Sequence, residues 1–202
     1  MTTSIRLTFA LAAATLFLAT GGCYKGSWIK GNDEGDLSDA SKAGIETFNP
    51  LVVEAMNKLL HNHAIEERAQ GKRAVAFIGV ENKSAEEMRD ARDAIYEIID
   101  TYLVNEQAYT PVNHRFVEAA MRSTGMRPDD LFLKNGRDTF MSAVSKEGIT
   151  PEYLLFATLT SLTSQGVGQD QRNYLLTLEL VDANSGETSA KETAQIRKGY
   201  NH

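Results

Sequence analysis

The fold of this chain is decided by residues 73–84, RAVAFIGVENKS. Arg73 to Val80 is a short, almost continuous apolar run, which is typical of a strand buried on both faces of a sheet. The run stops at the polar turn Glu81-Asn82-Lys83, and Ser84 then opens S-A-E-E, the sequence of a capping box at a helix N-terminus. A strand, a polar turn and a capped helix predict a β-α unit, and therefore a sheet that begins with parallel strands.

Capping residues and apolar periodicity predict four more helical segments around this unit. Asn49-Pro50 is a cap followed by a residue suited to the first helical position, so we expect the first helix to start there. Asn113 is expected to cap a helix that ends near Gly125, and two further helical pieces are predicted at 128–133 and 137–147.

Three apolar or alternating stretches predict strands in the second half of the chain. Residues 153–160 form a second strongly apolar strand, and 173–182 places leucines on alternate positions. Residues 187–197 form a polar strand, which suits the edge of a sheet. We therefore predict an α/β (α+β) fold: a single domain at 49–200 whose mixed sheet is flanked by helices and ends in an antiparallel meander.

The single cysteine, Cys23, follows an N-terminus with the features of a secretory signal. Arg6 provides one positive charge, residues 7–19 are almost entirely apolar, and small residues precede the cysteine. The apolar stretch is shorter than the roughly 20 residues that a membrane-spanning helix needs. Cysteine at the cleavage point resembles the bacterial lipobox, which implies a signal peptide at 1–22 and a lipidated Cys23. The alternative is a reactive or intermolecular-disulfide cysteine in an uncleaved tail.

The stretch from 23 to 48 reads as a flexible tether, since it is rich in glycine, serine and acidic residues and lacks periodicity. The chain carries a formal net charge of −6. Removal of residues 1–22, which contain one charged residue, Arg6, makes it −7. An acidic chain argues against nucleic acid as a partner.

Three stretches, with the lipobox at Cys23, resemble the LpoB family of outer-membrane lipoprotein activators of bifunctional penicillin-binding proteins, whose domain is related to the N-terminal domain of TolB. They are FIGVENKS at 77–84, YLLFATLTSLTS at 153–164 and YLLTLELVDANSGET at 174–188. The resemblance covers about Asn49 to Tyr200. It implies a protein anchored by lipid in the outer membrane, facing the periplasm, that binds a bifunctional penicillin-binding protein and stimulates peptidoglycan synthesis. The alternative is an accessory subunit of an outer-membrane assembly or secretion complex of the curli-secretion type.

Polar residues beside the sheet are the predicted partner-binding surface, because binding residues are concentrated on edges and loops next to a rigid scaffold. The candidates are Asn82 and Lys83 in the first β-α turn, and Tyr174, Thr177 and Glu179 on the alternating strand. The sequence contains none of the common motifs for a nucleophile, a phosphate-binding loop or a metal site. We therefore expect a binding protein, not an enzyme, with no cofactor and no metal.

Overall fold

The computed structural model describes residues 44–67, 72–85, 88–105, 109–165 and 169–201 of the 202-residue chain. Within these ranges the helices and strands predicted above follow one another in the predicted order, and a short strand lies between the second and third helices. The elements are α1 (Ile45–Glu67), β1 (Arg73–Lys83), α2 (Arg89–Asn105), β2 (Tyr109–Pro111), α3 (His114–Thr124), a 3-10 helix (Pro128–Phe132), α4 (Lys134–Ser145), β3 (Tyr153–Gln165), β4 (Gln169–Asp182) and β5 (Thr188–Asn201).

The strands form one five-stranded sheet in the order β2-β1-β3-β4-β5. β1 pairs in parallel with both β2 and β3, whereas β3, β4 and β5 form an antiparallel meander. The predicted mixed α/β fold is therefore confirmed, with β1 in the interior of the sheet and β5 at its edge.

Each face of the sheet carries its own hydrophobic cluster. One face packs against α1 and α2, and its cluster includes Phe77 of β1 and Leu155 of β3. The other face packs against α3, the 3-10 helix and α4, and its cluster includes Ile78 and Phe156. Neighbouring residues of one strand belong to opposite clusters because successive side chains of a strand point to opposite faces. Burial on both faces explains the continuous apolar run of β1.

The first helix begins at Ile45, so the prediction that Asn49 caps it is wrong. Phe48 is fully buried, and its ring packs edge-on against Tyr174, with centroids 5.6 Å apart. Burial of this ring holds residues 45–48 in the helix and leaves Asn49 exposed in its second turn. The last residues of the predicted tether at 23–48 are thus helical, and residues 1–43 lie outside the described part of the chain.

The second helix begins at Arg89, so the prediction that Ser84 caps it is also wrong. Ser84 donates from its backbone nitrogen and from Oγ to Oδ1 of Asn82, at 2.9 and 2.6 Å. The next residue, Ala85, donates its backbone N–H to Oγ of Ser161 on β3. These bonds extend the polar turn along the sheet before the helix starts. The predicted partner of the cap, Glu87, lies outside the described residues.

The third helix has both predicted ends. Oδ1 of Asn113 accepts the backbone N–H of Arg115 at 2.9 Å, which satisfies one of the donors left open at a helix N-terminus. Gly125 ends the helix with φ +66°, a left-handed conformation that glycine adopts without steric cost.

Candidate functional site

A β-bulge in β1 decides which of its polar residues share a face. The register of β1 on β3 shifts between Phe77 and Gly79, and Gly79 has φ +138°, which residues with a side chain rarely adopt. After the shift, Glu81 and Lys83 lie opposite Thr158 and Thr160 of β3. The bulge therefore places both charged residues on the face of the sheet that α3 and α4 cover nearer the start of β1.

Among the described residues, α3, the 3-10 helix and α4 cover only part of this face of the sheet. The cluster beneath α3 and α4 ends at Phe156 on β3 and Val181 on β4. Beyond these residues the face continues with side chains that are half-buried or exposed: Thr158, Thr160, Leu162, Leu175 and Thr177. We call these five residues the open face; Leu162 is 64% exposed, and Lys83 lies at the β1 border.

A cleft of about 320 Å³ lies where the open face meets the 3-10 helix. The rings of Phe132 and Phe156 both line it and are stacked, with centroids 4.6 Å apart and planes inclined by 28°. Phe132 is 46% exposed, whereas Phe156 beneath it is 7% exposed. The cleft therefore has an aromatic wall of which one ring is accessible.

Arg137 of α4 holds this wall in place. Its side chain is buried and donates to the backbone oxygens of Phe132 at 2.9 Å, Leu131 at 3.3 Å and Ser185 at 3.1 Å. These bonds tie the 3-10 helix to the turn between β4 and β5. Since the backbone of Phe132 is itself one of the acceptors, the guanidinium positions the exposed ring.

The charged groups of the cleft form two ion pairs. Nζ of Lys83 lies 2.8 Å from Glu81, and Nζ of Lys191 lies 3.0 Å from Glu179. Burial alone would raise the pKa of Glu179, but hydrogen bonds from Thr188 and Lys191 and the charge of Lys191 outweigh it, so the pKa is lowered. The hydrogen bond to Glu81 raises the pKa of Lys83. Glu179 and Lys83 are therefore both charged near neutral pH.

Three of the five predicted partner-binding residues meet at this cleft. Lys83, Thr177 and Glu179 all line it, although they come from two strands. Asn82 lies opposite Leu159, whose side chain belongs to the cluster on the other face, and its Oδ1 accepts hydrogen bonds from Ser84. Tyr174 is fully buried, so the prediction that its side chain contributes to a partner-binding surface is wrong.

The other residues of the cleft lining were not predicted as site residues, among them Phe132, Asp129 and Lys191. Phe132 and Asp129 belong to a 3-10 helix of five residues, which is too short for apolar periodicity to separate inward from outward side chains. Lys191 belongs to β5 and reaches the cleft because Lys191 pairs with Glu179 across the antiparallel register. The alternation of side chains along β5 is the sequence signal that could have identified Lys191. Its side chain points to the face opposite that of the buried Ala190.

A second cleft, of about 250 Å³, lies between α2 and α3. His114, the first residue of α3, packs its ring against Tyr96 at a centroid distance of 3.7 Å, and its Nε2 lies 3.1 Å from Glu118. Burial is the main cause that raises the pKa of Tyr96, followed by the nearby charge of Asp100. This tyrosine is therefore a neutral part of the wall.

Neither a metal site nor a membrane-spanning helix is found in the part of the chain that the structure describes. Within it, no group of three or more histidine, cysteine, aspartate or glutamate side chains has the arrangement of a metal site. Among the same residues, no helix combines the length and the apolar character that crossing a membrane requires.

The sequence also matches the model of a known protein family. The family described as peptidoglycan-synthase activator LpoB matches residues 47–196, which is well over half of the chain. This chain belongs to the LpoB family.

A solved domain of LpoB has the same fold as this chain at low sequence identity. The C-terminal domain of LpoB from Salmonella enterica superposes with a TM-score of 0.50 at 15% identity, covering 74% of this chain and 97% of that domain. The corresponding domain from Escherichia coli gives a TM-score of 0.49 at 15% identity, with the same coverage of 74% and 97%. No curated protein matches the sequence. The resemblance to the LpoB family found in the sequence is confirmed.

Proposed function

We propose that this chain is a lipid-anchored periplasmic protein that binds a bifunctional penicillin-binding protein and stimulates its synthesis of peptidoglycan. Membership of a family of peptidoglycan-synthase activators supports the general function. The observation that supports binding of a protein partner is the open face: five neighbouring positions of the sheet that the second helical layer leaves half-buried or exposed. The LpoB family acts as an activator, so we propose that the chain has no catalytic activity of its own.

The open face has the composition of a protein-docking surface. Leu162 and Leu175 supply apolar area, three threonines supply hydrogen-bonding groups, and Lys83 supplies a charge at the rim. Interfaces of this kind combine an apolar centre with a polar border. We propose that Leu162 and Lys83 contact the synthase directly; Lys83, Thr158 and Thr177 also line the cleft.

A protein without catalytic groups stimulates an enzyme by binding its active conformation more tightly than its inactive one. To move a synthase from roughly 1% to roughly 99% active, the preference must be about 10⁴-fold. A smaller preference moves less of the population: about 100-fold brings roughly half of the synthase into the active conformation. The open face is therefore expected to contact a part of the synthase that differs between the two conformations.

The proposed anchor at Cys23 raises the local concentration of the domain beneath the outer membrane, so that a modest affinity is sufficient. Thiolate chemistry allows the cysteine to take a diacylglycerol, and acylation of its amine supplies a second anchor. The segment 24–44 spans about 70 Å if it is fully extended at roughly 3.3–3.6 Å per residue. The periplasmic part of the synthase is therefore expected to extend towards the outer membrane.

The decisive experiment adds the purified mature chain, with Cys23→Ser to keep it free of lipid, to each bifunctional synthase of the same organism. Glycan-chain formation and binding are measured for the parent chain and for Leu162→Glu, Lys83→Glu and Lys58→Glu. Lys58 is the matched control, because its ion pair with Glu54 at 2.7 Å is as exposed as that of Lys83 but lies on α1. We expect stimulation that is lost in Leu162→Glu, reduced in Lys83→Glu and kept in Lys58→Glu.

Absence of both binding and stimulation with every synthase would refute the activator function. It would favour the alternative, an accessory subunit of an outer-membrane assembly or secretion complex. Equal losses in Lys83→Glu and Lys58→Glu would show that the effect of Lys83 is not specific to the open face.

A further inference from the structure

The cleft beneath Phe132 has features that the docking of a synthase on the open face does not use. One face of the Phe132 ring is stacked on Phe156, so the 46% exposure of Phe132 belongs to its other face and its edge. The guanidinium of Arg137 fixes the backbone of Phe132. An accessible aromatic ring that the fold holds in position is a binding feature for a flat apolar surface.

The polar lining of the cleft excludes several classes of ligand. Glu81 is paired with Lys83 and Glu179 with Lys191, so these four charges compensate one another, and Asp129 adds one negative charge. An anion would meet the net negative charge of the cleft. A purely apolar ligand would remove water from the paired charges without replacing their hydrogen bonds, which is unfavourable.

The same groups keep capacity for hydrogen bonds. An ammonium group has three donors, and a carboxylate can accept about four hydrogen bonds. Among the contacts described, Glu179 accepts from Oγ1 of Thr188 at 2.6 Å and from Nζ of Lys191 at 3.0 Å. The hydroxyl of Thr158 also lies in the lining. Ammonium donors, carboxylate acceptors and a threonine in one lining suit a ligand rich in hydroxyl groups, because each hydroxyl group both donates and accepts.

From these features we infer that the cleft beneath Phe132 binds a neutral saccharide, with the apolar face of a sugar ring stacked on Phe132. Hydroxyl groups of the sugar bond to Lys191, Glu179 and Thr158. The volume of about 320 Å³ is at the lower end of the range of roughly 300–1,000 Å³ for small-molecule sites, which suits one or two sugar rings. A domain that contacts a peptidoglycan synthase works beside glycan strands, so such a site would keep it near the substrate or product of its partner.

The test uses the isotopically labelled mature chain, residues 23–202 with Cys23→Ser, and no synthase. Tetra-N-acetylchitotetraose and cellotetraose are titrated separately while the backbone amide resonances are followed. We expect shift changes at Gly79, Thr158 and Thr177 with at least one of the two saccharides. Binding of the acetylated saccharide alone means that the N-acetyl group is recognised, and binding of both means that the ring and hydroxyls suffice; either supports the inference.

Variants of Phe132 separate ring stacking from general hydrophobic contact. Phe132→Tyr keeps a flat ring and is expected to bind, whereas Phe132→Leu keeps apolar character without a flat face and is expected to bind roughly tenfold more weakly. Leu133→Ala, which removes a neighbouring side chain that is 67% exposed, is the matched control and is expected to bind like the parent. Urea unfolding of each variant verifies that the fold is retained.

Three results would overturn the inference: no shift changes with either saccharide, changes confined to other parts of the domain, or unchanged binding in Phe132→Leu. The outcome is independent of the proposed function, because Leu162→Glu should abolish synthase binding and leave saccharide binding intact. Phe132→Leu should do the opposite.

Discussion

Replacement of Phe48 by alanine tests where the domain begins. The ring is fully buried and meets Tyr174 edge-on at 5.6 Å. A buried aromatic side chain contributes roughly 150–250 Å² at about 25 cal/mol per Å², and a cavity adds to the loss. Because alanine keeps part of this buried area, we expect the free energy of unfolding to decrease by about 3–5 kcal/mol, the usual cost of replacing a core phenylalanine by alanine. That is a large part of the roughly 5–15 kcal/mol that stabilises a typical domain.

Two neighbouring variants make this prediction specific to the observed start of α1. Ile45 is 42% exposed, so Ile45→Ala should cost below about 1 kcal/mol. Asn49 is exposed inside the helix, so Asn49→Ala should be neutral or slightly stabilising, since alanine is the better helix former. If Asn49 were the cap, its loss would cost about 0.5–2 kcal/mol.

The assay is urea unfolding of the mature chain, followed by circular dichroism at neutral pH. A lowered midpoint with an unchanged slope would identify a loss of stability without a change in the surface exposed on unfolding. The reasoning fails if Phe48→Ala costs as little as Ile45→Ala, or if Asn49→Ala costs more than Phe48→Ala. Either result would place the start of the domain at Asn49.

Three further predictions concern the anchor, the cleft and the bulge. Cys23→Ala should leave an unprocessed or mislocalised protein, and mass spectrometry that finds an intact, unmodified Cys23 in a longer chain would contradict lipidation. The pKa of Glu179 lies below the ordinary 4.5, so its stabilising effect is complete above about pH 4.5 and is lost as the pH falls through the lowered pKa. The difference in unfolding free energy between the parent and Glu179→Gln, below about 1 kcal/mol for a partly exposed pair, should therefore shrink in acid, and a difference that grows would refute this sign. Gly79→Ala should cost roughly 1–3 kcal/mol because of its φ of +138°, whereas Gly199→Ala, whose added Cβ would also meet nothing within 4 Å, should cost nothing; equal effects would argue against the bulge.

The site was partly accessible from the sequence. The local pattern was sufficient to predict Lys83, Thr177 and Glu179. Polar residues that follow a buried strand, or that alternate with apolar residues along a strand, are expected at the surface. Tyr174 and Leu176 are two residues apart on the strand, so their side chains share the buried face. A prediction that takes residues 174–179 as one binding segment therefore includes a residue that points into the core. Its burial depends on Phe48, which the sequence placed before the first helix.

The sequence by itself determined the elements and the order in which they follow one another. The apolar run of residues 73–80, the alternation in 173–182 and the cap at Asn113 each depend on interactions within a few residues, so local pattern was sufficient. Connections between neighbouring elements are short, so this order of helices and strands permits few topologies. The favoured one is a sheet with parallel strands first and an antiparallel meander last.

Tertiary structure alone decided which polar residues meet. The bulge at Gly79 reverses the alternation of β1 and brings Lys83, not Asn82, to the face of Phe156. Lys191 reaches Glu179 through the register of β5 on β4, and Phe132 is exposed because Arg137 holds a short helix above the sheet. Each of these placements depends on contacts between residues far apart in the chain, and such contacts form only when the layers pack together.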